Sequence, residues 1–438
     1  MTKYWLTALG IITTFVGLAF LWLYSHKLRK TAEDRYLDTL LHELSSQPIP
    51  DTALPITQHP PAPPRSPDSL PAQSLSAPVS APEFTERVSG SPPRCPRCIT
   101  IALIGVDSRI NDPTAHADAN HVLFLDLETG RITIVAIPRD TPADAGFPDT
   151  SQYNKLANVR AHRGRRAHLA TLASLLGLPR IHYYAELGFS QALGILRLLQ
   201  FANPSDVLRV LRARTGVWGD DYHRVYVQAH FLRQQLLRWF PTLNTPWGLT
   251  LLRGALGLAE TDLTVGVITR LADSLRARGF PQDSAAVSIV VYRTPLRRAP
   301  AYDLTDSSTV AALVEQLRRY HRSRSTATNE SHAHQVRNHL LAALDHAEQA
   351  IASGRYRKAV QLLSPLVQRR AWWQLDDSQE REAYRTALVE TLCRAYEQLH
   401  QPQRAEALRN ELLSTEQLLE HMVGTTERPP SQELTTPR

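Results

Sequence analysis

The sequence is poor in cysteine. It has three in 438 residues, two of them in the run CPRC (Cys95 and Cys98) and the third, Cys393, far from both. A single CxxC lacks the second pair of ligands that a tetrahedral zinc site needs. It reads instead as a local disulfide, if the chain lies outside the cytoplasm, or as a redox pair. Its place at the join between a linker and the first strand favours the local staple. The usual signatures of a nucleic-acid-binding module are missing, so no nucleic-acid partner is expected. A strong charge of either sign is missing as well: 49 Lys and Arg stand against 42 Asp and Glu, for a net charge of +7. The excess is mostly arginine, whose fixed fork of donors suits phosphate, although an ordinary basic surface has the same composition. Long apolar runs are scarce, with one exception.

That exception is residues 4–24, YWLTALGIITTFVGLAFLWLY, which carry no charge. About 20 such residues span a bilayer core. The apolar region of a signal peptide is usually shorter and followed by a small-residue cleavage site, so a retained transmembrane helix is predicted. Tyr4, Trp5, Trp22 and Tyr24 lie at its two ends, as interfacial aromatics do. Lys27, Arg29 and Lys30 follow the span, and by the positive-inside rule alone they would leave the bulk of the chain in the cytoplasm. Residues 25–94 continue as a polar juxtamembrane helix and then, from about residue 47, as a Pro-, Ser- and Ala-rich run that includes HPPAPPRSP. Such a run buries too little apolar surface to fold and is read as a semi-extended spacer.

Ordered patterning resumes near Ile99. ITIALIGV reads as a buried strand. HVLFLDLETGRITIVAIPRD reads as two strands joined at ETG. RAHLATLASLLGL has helical spacing, with Gly177 placed to end the helix. IHYYAELGF follows as a strand, SQALGILRLLQF and VQAHFLRQQLLRWF as helices, TDLTVGVITRLADSLRARG as a further helix and AAVSIVVYRTPL as a late strand. Interleaved strands and helices predict an α/β domain over 95–325 with its sheet sandwiched between helices. Beyond the polar stretch HRSRSTATNESHAH, residues 335–421 read as an all-α tail of helical hairpins. Ala359 and Ala405 sit early in the second helix of each pair, and Leu392, Cys393 and Tyr396 fall at the packing positions of a tetratricopeptide unit. The same pattern fits a plain helical hairpin bundle. Residues 422–438 read as a disordered tail.

Charges collect at the predicted strand ends. Asp107 and Arg109 close the first strand, Asp118 precedes the second, and Arg139 and Asp140 close the third. If these strands are neighbours, their side chains meet at one edge of the sheet, where open α/β sheets bind ligands. Two carboxylates suit a hard divalent cation that bridges to phosphates, and arginines neutralise the remaining phosphate charge. The combination describes a pyrophosphate site. A second set, Arg212, Arg214, Arg224 and Gln228, lies in LRARTGVWGDDYHRVYVQ. Arg212 and Arg214 would share a face if that stretch is a strand; the alternative is a set of surface ion pairs with Asp220 and Asp221.

With these motifs in order (IALIGVDSR, ADANHVLFLDLETGRITIVAIPRDT, NKLANVRAHRG, IHYYAELGF and RARTGVWGDDYHRVYVQ), residues 99–320 resemble the LytR-CpsA-Psr family. The resemblance implies a central mixed β-sheet flanked by helices. It also implies a membrane-anchored phosphotransferase that moves a glycopolymer from a polyprenyl-pyrophosphate carrier to peptidoglycan through a phosphodiester bond. Asp107 and Asp118 would hold Mg²⁺. Arg109, His116, Arg139, Arg212, Arg214, Arg224 and Gln228 would hold the pyrophosphate, and Arg139 with Asp140 would act in catalysis. The polyprenyl tail would lie between the sheet and apolar helices, with SQALGILRLLQF and HFLRQQLLRWF as walls. The implied location is the cell membrane, single-pass, with the domain outside the cytoplasm, opposite to what the charges after the span indicate. His116 and Ala143 stand where the family often has arginine. Such departures fit a specialised transferase, or a divergent protein that binds polyprenyl-phosphate lipid without turnover and recruits a protein partner through 335–421 as an envelope scaffold.

Overall fold

The structure, a computed structural model, describes residues 97–107, 115–149, 151–214, 217, 221–282, 284–293, 297–300, 302–322 and 332–410, together with 85–88, 93, 95 and 412. The predicted span 4–24, the juxtamembrane helix, most of the spacer, Arg109 and the end of the tail lie outside the described residues. Among the described residues no helix is long and apolar enough to cross a membrane.

A six-stranded mixed sheet organises the first half. Its strands are β2 (Ile99–Asp107), β3 (His116–Asp126), β4 (Arg131–Ala136), β5 (Tyr183–Leu187), β6 (Glu260–Thr261) and β7 (Val287–Val291), in the order β6-β5-β2-β3-β4-β7. The pairs β2/β5 and β4/β7 are parallel; the other pairs are antiparallel. The β3–β4 hairpin forms at the expected ETG turn. There the Asp126 carboxylate accepts from the backbone amides of Glu128 and Thr129, and Gly130 takes a positive φ of 69°. A Cβ at Gly130 would stand 2.6 Å from that of Arg278, so both conformation and space ask for glycine.

The sheet is sandwiched as predicted, and the alternation along its strands divides two apolar layers. Ala102, Ile104, Val122, Phe124 and Val135 face helix α1 (Leu156–Leu176), which buries Leu156, Leu172 and Leu176 against them. Gly177 ends α1 in the left-handed region, at φ 67°. On the opposite face Ile99, Ile101, Ile132, Ile134 and Ile289 pack with α2 (Phe189–Leu198), α3 (Pro204–Arg212), α4 (Asp221–Trp239), α6 (Val265–Ala277) and α7 (Ser307–Arg322). Between α4 and α6 lies α5 (Pro246–Leu258), capped by the Thr245 hydroxyl, which accepts from the Gly248 amide at 3.0 Å.

Three sequence expectations need correction. Arg212 is the last residue of α3, not part of a strand, because the apolar positions Val207, Leu208, Val210 and Leu211 recur at helical spacing and are buried. Asp118 lies inside β3 rather than before it. The spacer also contributes structure at its far end. Thr85–Val88 forms β1, which pairs antiparallel with β8 (Arg297–Pro300) in a separate two-stranded sheet. Cys95 and Cys98 are joined by a disulfide, the local staple expected of CPRC.

The tail is helical: α8 (His332–Ala352), α9 (Tyr356–Gln368), α10 (Ser378–Gln398) and α11 (402–410). Ala359, Ala405, Leu392 and Cys393 are fully buried among its helices. The tail is not held apart from the α/β domain. Trp372 and Trp373 are buried in one continuous cluster with Leu198, Leu251 and Leu258 of α2 and α5. Arg197 of α2 donates to the carbonyls of Trp373 and Leu375 and pairs with Asp376, while Gln374 donates to the Ser190 hydroxyl at 2.8 Å. Gly194 lets the helices meet: a Cβ there would stand 3.1 Å from Leu258 and 3.3 Å from the Trp373 ring.

Candidate functional site

A cavity of about 230 Å³ opens between the sheet and α2, α3 and α4. Leu103 of β2, Ala185 of β5, Phe189 and Ala192 of α2, Leu208 and Leu211 of α3, and Phe231 and Leu232 of α4 line its apolar part. Both helical stretches expected to form walls do so. Asp107, Asp118, Arg212 and Arg224 also line it, so a mostly greasy space has charged groups of both signs on its wall.

A β-bulge builds the charged part. Gly105 pairs with Ala119 and Val106 with Ala117, which leaves Asp118 as an extra residue in β3. A bulge re-aims the side chains around it. Here Asp118 and Ala119 both line the cavity, while Ala117 is buried in the core on the α1 face. On β2 the positions Leu103, Gly105 and Asp107 reach the same cavity. Gly105 lies where the strands crowd, for a Cβ on it would come within 3.0 Å of the Ala119 Cβ.

The carboxylates are engaged by arginines from distant parts of the chain. Arg139, beyond the end of β4, pairs with Asp118 and lies 3.8 Å from Asp140. Arg212, at the end of α3, donates to Asp107 at 2.8 Å and lays its guanidinium over the Phe189 ring, 4.8 Å from the centroid. Arg224 is 2% exposed and pairs with Asp221 one turn earlier on α4. Thus the alternative of an ion pair with Asp221 holds for Arg224, but in the interior rather than at the surface. Burial holds the Asp221 carboxyl above the usual carboxylate range, against the pull of Arg224. Burial likewise lowers the Arg224 guanidinium, and Asp221 opposes it. The Nε groups of Arg139 and Arg224 are buried and donate no hydrogen bond among the described residues. An unmatched buried donor is costly and calls for an explanation.

The remaining expected residues divide. Gln228 lines the cavity and donates to the Leu211 carbonyl at 2.9 Å, tying α4 to α3. Arg214 is exposed two residues past α3 and outside the cavity wall, near enough to act on Asp221 and Arg224 through its charge. His116 stands opposite Asp107 in the β2/β3 register but does not line the cavity; its ring lies 6.2 Å from that of His162. Asp140 is exposed and accepts from Lys155 at 3.2 Å.

Two site residues were not anticipated. Lys155 becomes a neighbour of Asp140 because residues 155–157 lie against 139–142, with the Ala157 amide donating to the Arg139 carbonyl. His121 lines the cavity and is buried. Burial pushes its imidazole down to about 4; the neighbouring Gln228 works the other way, and the Arg224 charge adds to the drop. Its position, two residues after Ala119 on the cavity face of β3, was the available signal. Among the described residues no group of three or more His, Cys, Asp or Glu side chains is gathered around one point as a metal cage.

Residues 79–193 match the LytR_cpsA_psr family. The LytR_cpsA_psr match takes in β1 to β5 and α1 and ends inside α2, so it includes Asp107, Asp118, Arg139 and Asp140. Arg212, Arg214, Arg224 and Gln228 lie beyond it. Among solved structures, B. subtilis TagV is similar at 17% identity and a TM-score of 0.39, over 50% of this chain and 97% of that one. The protein gbs0355 from Streptococcus agalactiae is similar at 14% identity and a TM-score of 0.36, over 53% and 91%. TagT bound to LIIa-WTA is similar at 14% identity and a TM-score of 0.31, over 50% and 91%. No curated protein matches the chain.

Proposed function

We propose that this protein is a membrane-anchored phosphotransferase that moves a glycopolymer from a polyprenyl-pyrophosphate carrier to peptidoglycan, on the outer side of the cell membrane. The observation that carries the reading is the composite cavity, whose apolar lining ends on Asp107, Asp118, Arg212 and Arg224. Such a space fits a molecule with an aliphatic chain and an anionic head. A cavity of about 150 Å³ takes up benzene; at about 230 Å³ this one encloses a short length of polyprenyl chain next to the head. The buried Nε donor of Arg224, on the cavity wall, would find an acceptor in a phosphate oxygen. The Cys95–Cys98 disulfide supports an oxidising location, and residues 4–24 supply the anchor.

The donor set fits Mg²⁺. Magnesium is commonly held by one or two carboxylates while phosphate oxygens and water fill its other positions. Asp107 and Asp118 both line the cavity, and the arginines that pair with them are free to turn to phosphate when the carboxylates take a cation. Bound there, the ion would neutralise charge on the departing phosphate.

The chain's own groups do the rest. Arg212 and Arg224 hold the pyrophosphate so that the glycan-bearing phosphorus faces the acceptor. The acceptor hydroxyl oxygen bonds to that phosphorus, and the bond from phosphorus to the bridging oxygen breaks. Polyprenyl monophosphate leaves with the electron pair. Arg139 stabilises the charge that grows on the phosphoryl oxygens, and Asp140 beside it accepts the hydroxyl proton. Phosphoryl transfer asks a protein mainly for such positioning and charge neutralisation.

The test uses the full chain in detergent with Mg²⁺, a glycan-bearing polyprenyl pyrophosphate and a peptidoglycan acceptor, and measures release of polyprenyl phosphate. Release that Arg139→Ala and Asp107→Ala each abolish supports the transferase. Carrier binding without release by the unmodified chain would replace it with the lipid-binding scaffold.

A further inference from the structure

The end of α4 and the start of α5 meet in a corner that keeps apolar rings in the open. Trp239 and Trp247 stack there, with ring centroids 5.7 Å apart and planes 30° apart, and the Arg238 guanidinium lies 5.2 Å from the Trp239 centroid. Trp247 is 46% exposed, the one tryptophan left open among the described residues. The corner is tied together. The Thr242 hydroxyl donates to the Trp239 carbonyl at 2.7 Å, and the Thr245 hydroxyl donates to the Thr242 carbonyl at 2.8 Å. A Cβ on Gly248 would overlap the Thr242 carbonyl oxygen, so glycine is needed where α5 starts against the turn. The charge is one-sided. Residues 222–259 hold no aspartate or glutamate, although the whole chain has 42, and they hold four arginines, of which Arg238 and Arg253 are exposed. On α6, which packs against the turn, Asp273 is matched by Arg276 at 2.6 Å, and that guanidinium lies 5.0 Å from the Phe240 centroid.

The corner also continues the line of the cavity. Along α4 the lining runs from Arg224 and Gln228 to Phe231 and Leu232, so the charged part lies toward the start of the helix and the greasy part toward its end. Trp239 ends α4 seven residues past Leu232, on the same face and about 10 Å farther along the axis. Tryptophan rings settle at the membrane–water interface. Arginines there keep their stems in apolar surroundings and reach anionic headgroups. An open aromatic pair with basic flanks and no acid fits that layer. We propose that this corner is a membrane-docking surface: Trp239 and Trp247 seat in the interface of a bilayer that carries anionic lipid, and Arg238 and Arg253 meet its headgroups. Docking sets the apolar end of the cavity toward the membrane. It goes beyond the transferase reading, since it needs neither carrier nor turnover. On that reading it also answers a need, because a semi-extended spacer over residues 47–84 would let the domain stand on the order of 100 Å from the bilayer.

The test uses the full chain reconstituted in vesicles of phosphatidylglycerol and phosphatidylcholine, with no carrier present. A polarity-sensitive fluorophore is attached at Asn244→Cys, exposed at the corner, or at Gln403→Cys, exposed on α11. The native cysteines do not compete for the label: Cys95 and Cys98 are bonded to each other, and Cys393 is buried. Emission at position 244 should shift to the blue, and spin-labelled lipid should quench it several-fold more than at position 403. Trp247→Ser, added to the corner-labelled chain, should remove most of that quenching. Arg238→Gln and Arg253→Gln should each lower the ratio of docked to undocked chain about fivefold; at exposed positions, they keep the test open if Trp247→Ser unfolds. In vesicles of phosphatidylcholine alone, quenching at position 244 should fall toward that at position 403. Equal quenching at the two positions in the anionic vesicles overturns the proposal. A blue shift without quenching by lipid overturns it too, since it marks a protein occupant, and quenching as strong in phosphatidylcholine alone overturns the role of anionic headgroups. Failure of the transferase reading is a separate result, read from polyprenyl phosphate release.

Discussion

The two faces of the central sheet handle buried charge in opposite ways. On the α1 face, Arg160 meets Glu186 with two parallel hydrogen bonds, and the buried His168 Nε2 lies 2.8 Å from the Asn120 side-chain oxygen. On the cavity face, Arg224 is just as deeply buried as Glu186, yet its Nε donates no hydrogen bond among the described residues. The same strands, β2 and β3, feed both faces. The Arg160–Glu186 pair is fully matched, whereas Arg224 pairs with Asp221 and keeps a buried Nε donor without an acceptor among the described residues. Under the proposed function, the contrast separates charge used for folding from charge that meets a ligand.

The comparison breaks most sharply at Glu186. Glu186→Ala leaves Arg160 without its partner, and removing one member of a buried pair typically costs about 3–5 kcal/mol. Denaturant unfolding should therefore show a large loss of stability for a residue that takes no part in chemistry. Arg139→Ala should do the reverse. Losing one such donor to a developing anion costs on the order of 2–4 kcal/mol of transition-state stabilisation. The turnover rate should fall about a hundredfold or more, with the unfolding midpoint nearly unchanged; an unfolding midpoint that falls as far as that of Glu186→Ala would erase the distinction between the faces.

A pH scan sharpens the α1 side. Burial, reinforced by the charge of Arg160, holds the His168 imidazole down to about 4 in the folded chain, against about 6.5 when unfolded. The unfolded chain therefore binds the proton first. Stability is full above about pH 6.5 and is lost as the pH falls toward 4, by about 3 kcal/mol for this group at most. His121 and His182 share the direction through burial. Thermal melts between pH 7 and 4.5 should fall with acid, and His168→Gln should flatten the slope; an unchanged slope would mean that the imidazole is not held neutral. The smallest effect is expected at Gly105. Gly105→Ala brings a Cβ to 3.0 Å from that of Ala119, and overpacking of this kind costs about 1 kcal/mol at its low end. Polyprenyl phosphate affinity should drop a few-fold, while a short-chain analogue is less affected.

Much of the α/β domain was legible because its signals are local. The apolar run 99–106, the ETG turn and Gly177 act through backbone preference and side-chain period within a dozen residues, and each stands where expected. Asp107 and Arg139 were placed near strand ends that prove adjacent, and Asp118 joins them from inside β3. The sequence left Arg212 open, since two arginines one residue apart fit a strand face as well as a helix end; the buried Val207–Leu211 stripe decides for the helix. The bulge at Asp118 had no local mark, because Gly105 and Ala119 acquire their meaning only when β2 lies beside β3. The tail's attachment was also invisible. Trp372 and Trp373 look like any apolar pair until α2 supplies the surface that buries them.

The sequence by itself determined the strands β2 to β5 and β7, the helices α1, α2, α4 and α6, and where the hairpin turns. Those properties depend on each residue and its near neighbours along the chain. The tertiary structure alone decided that Asp118 turns to the cavity face, that Arg224 is buried beside it, and that the tail closes a polar cleft against the domain. Each of these depends on atoms brought together across tens to hundreds of residues, where register and packing, not local preference, set the outcome.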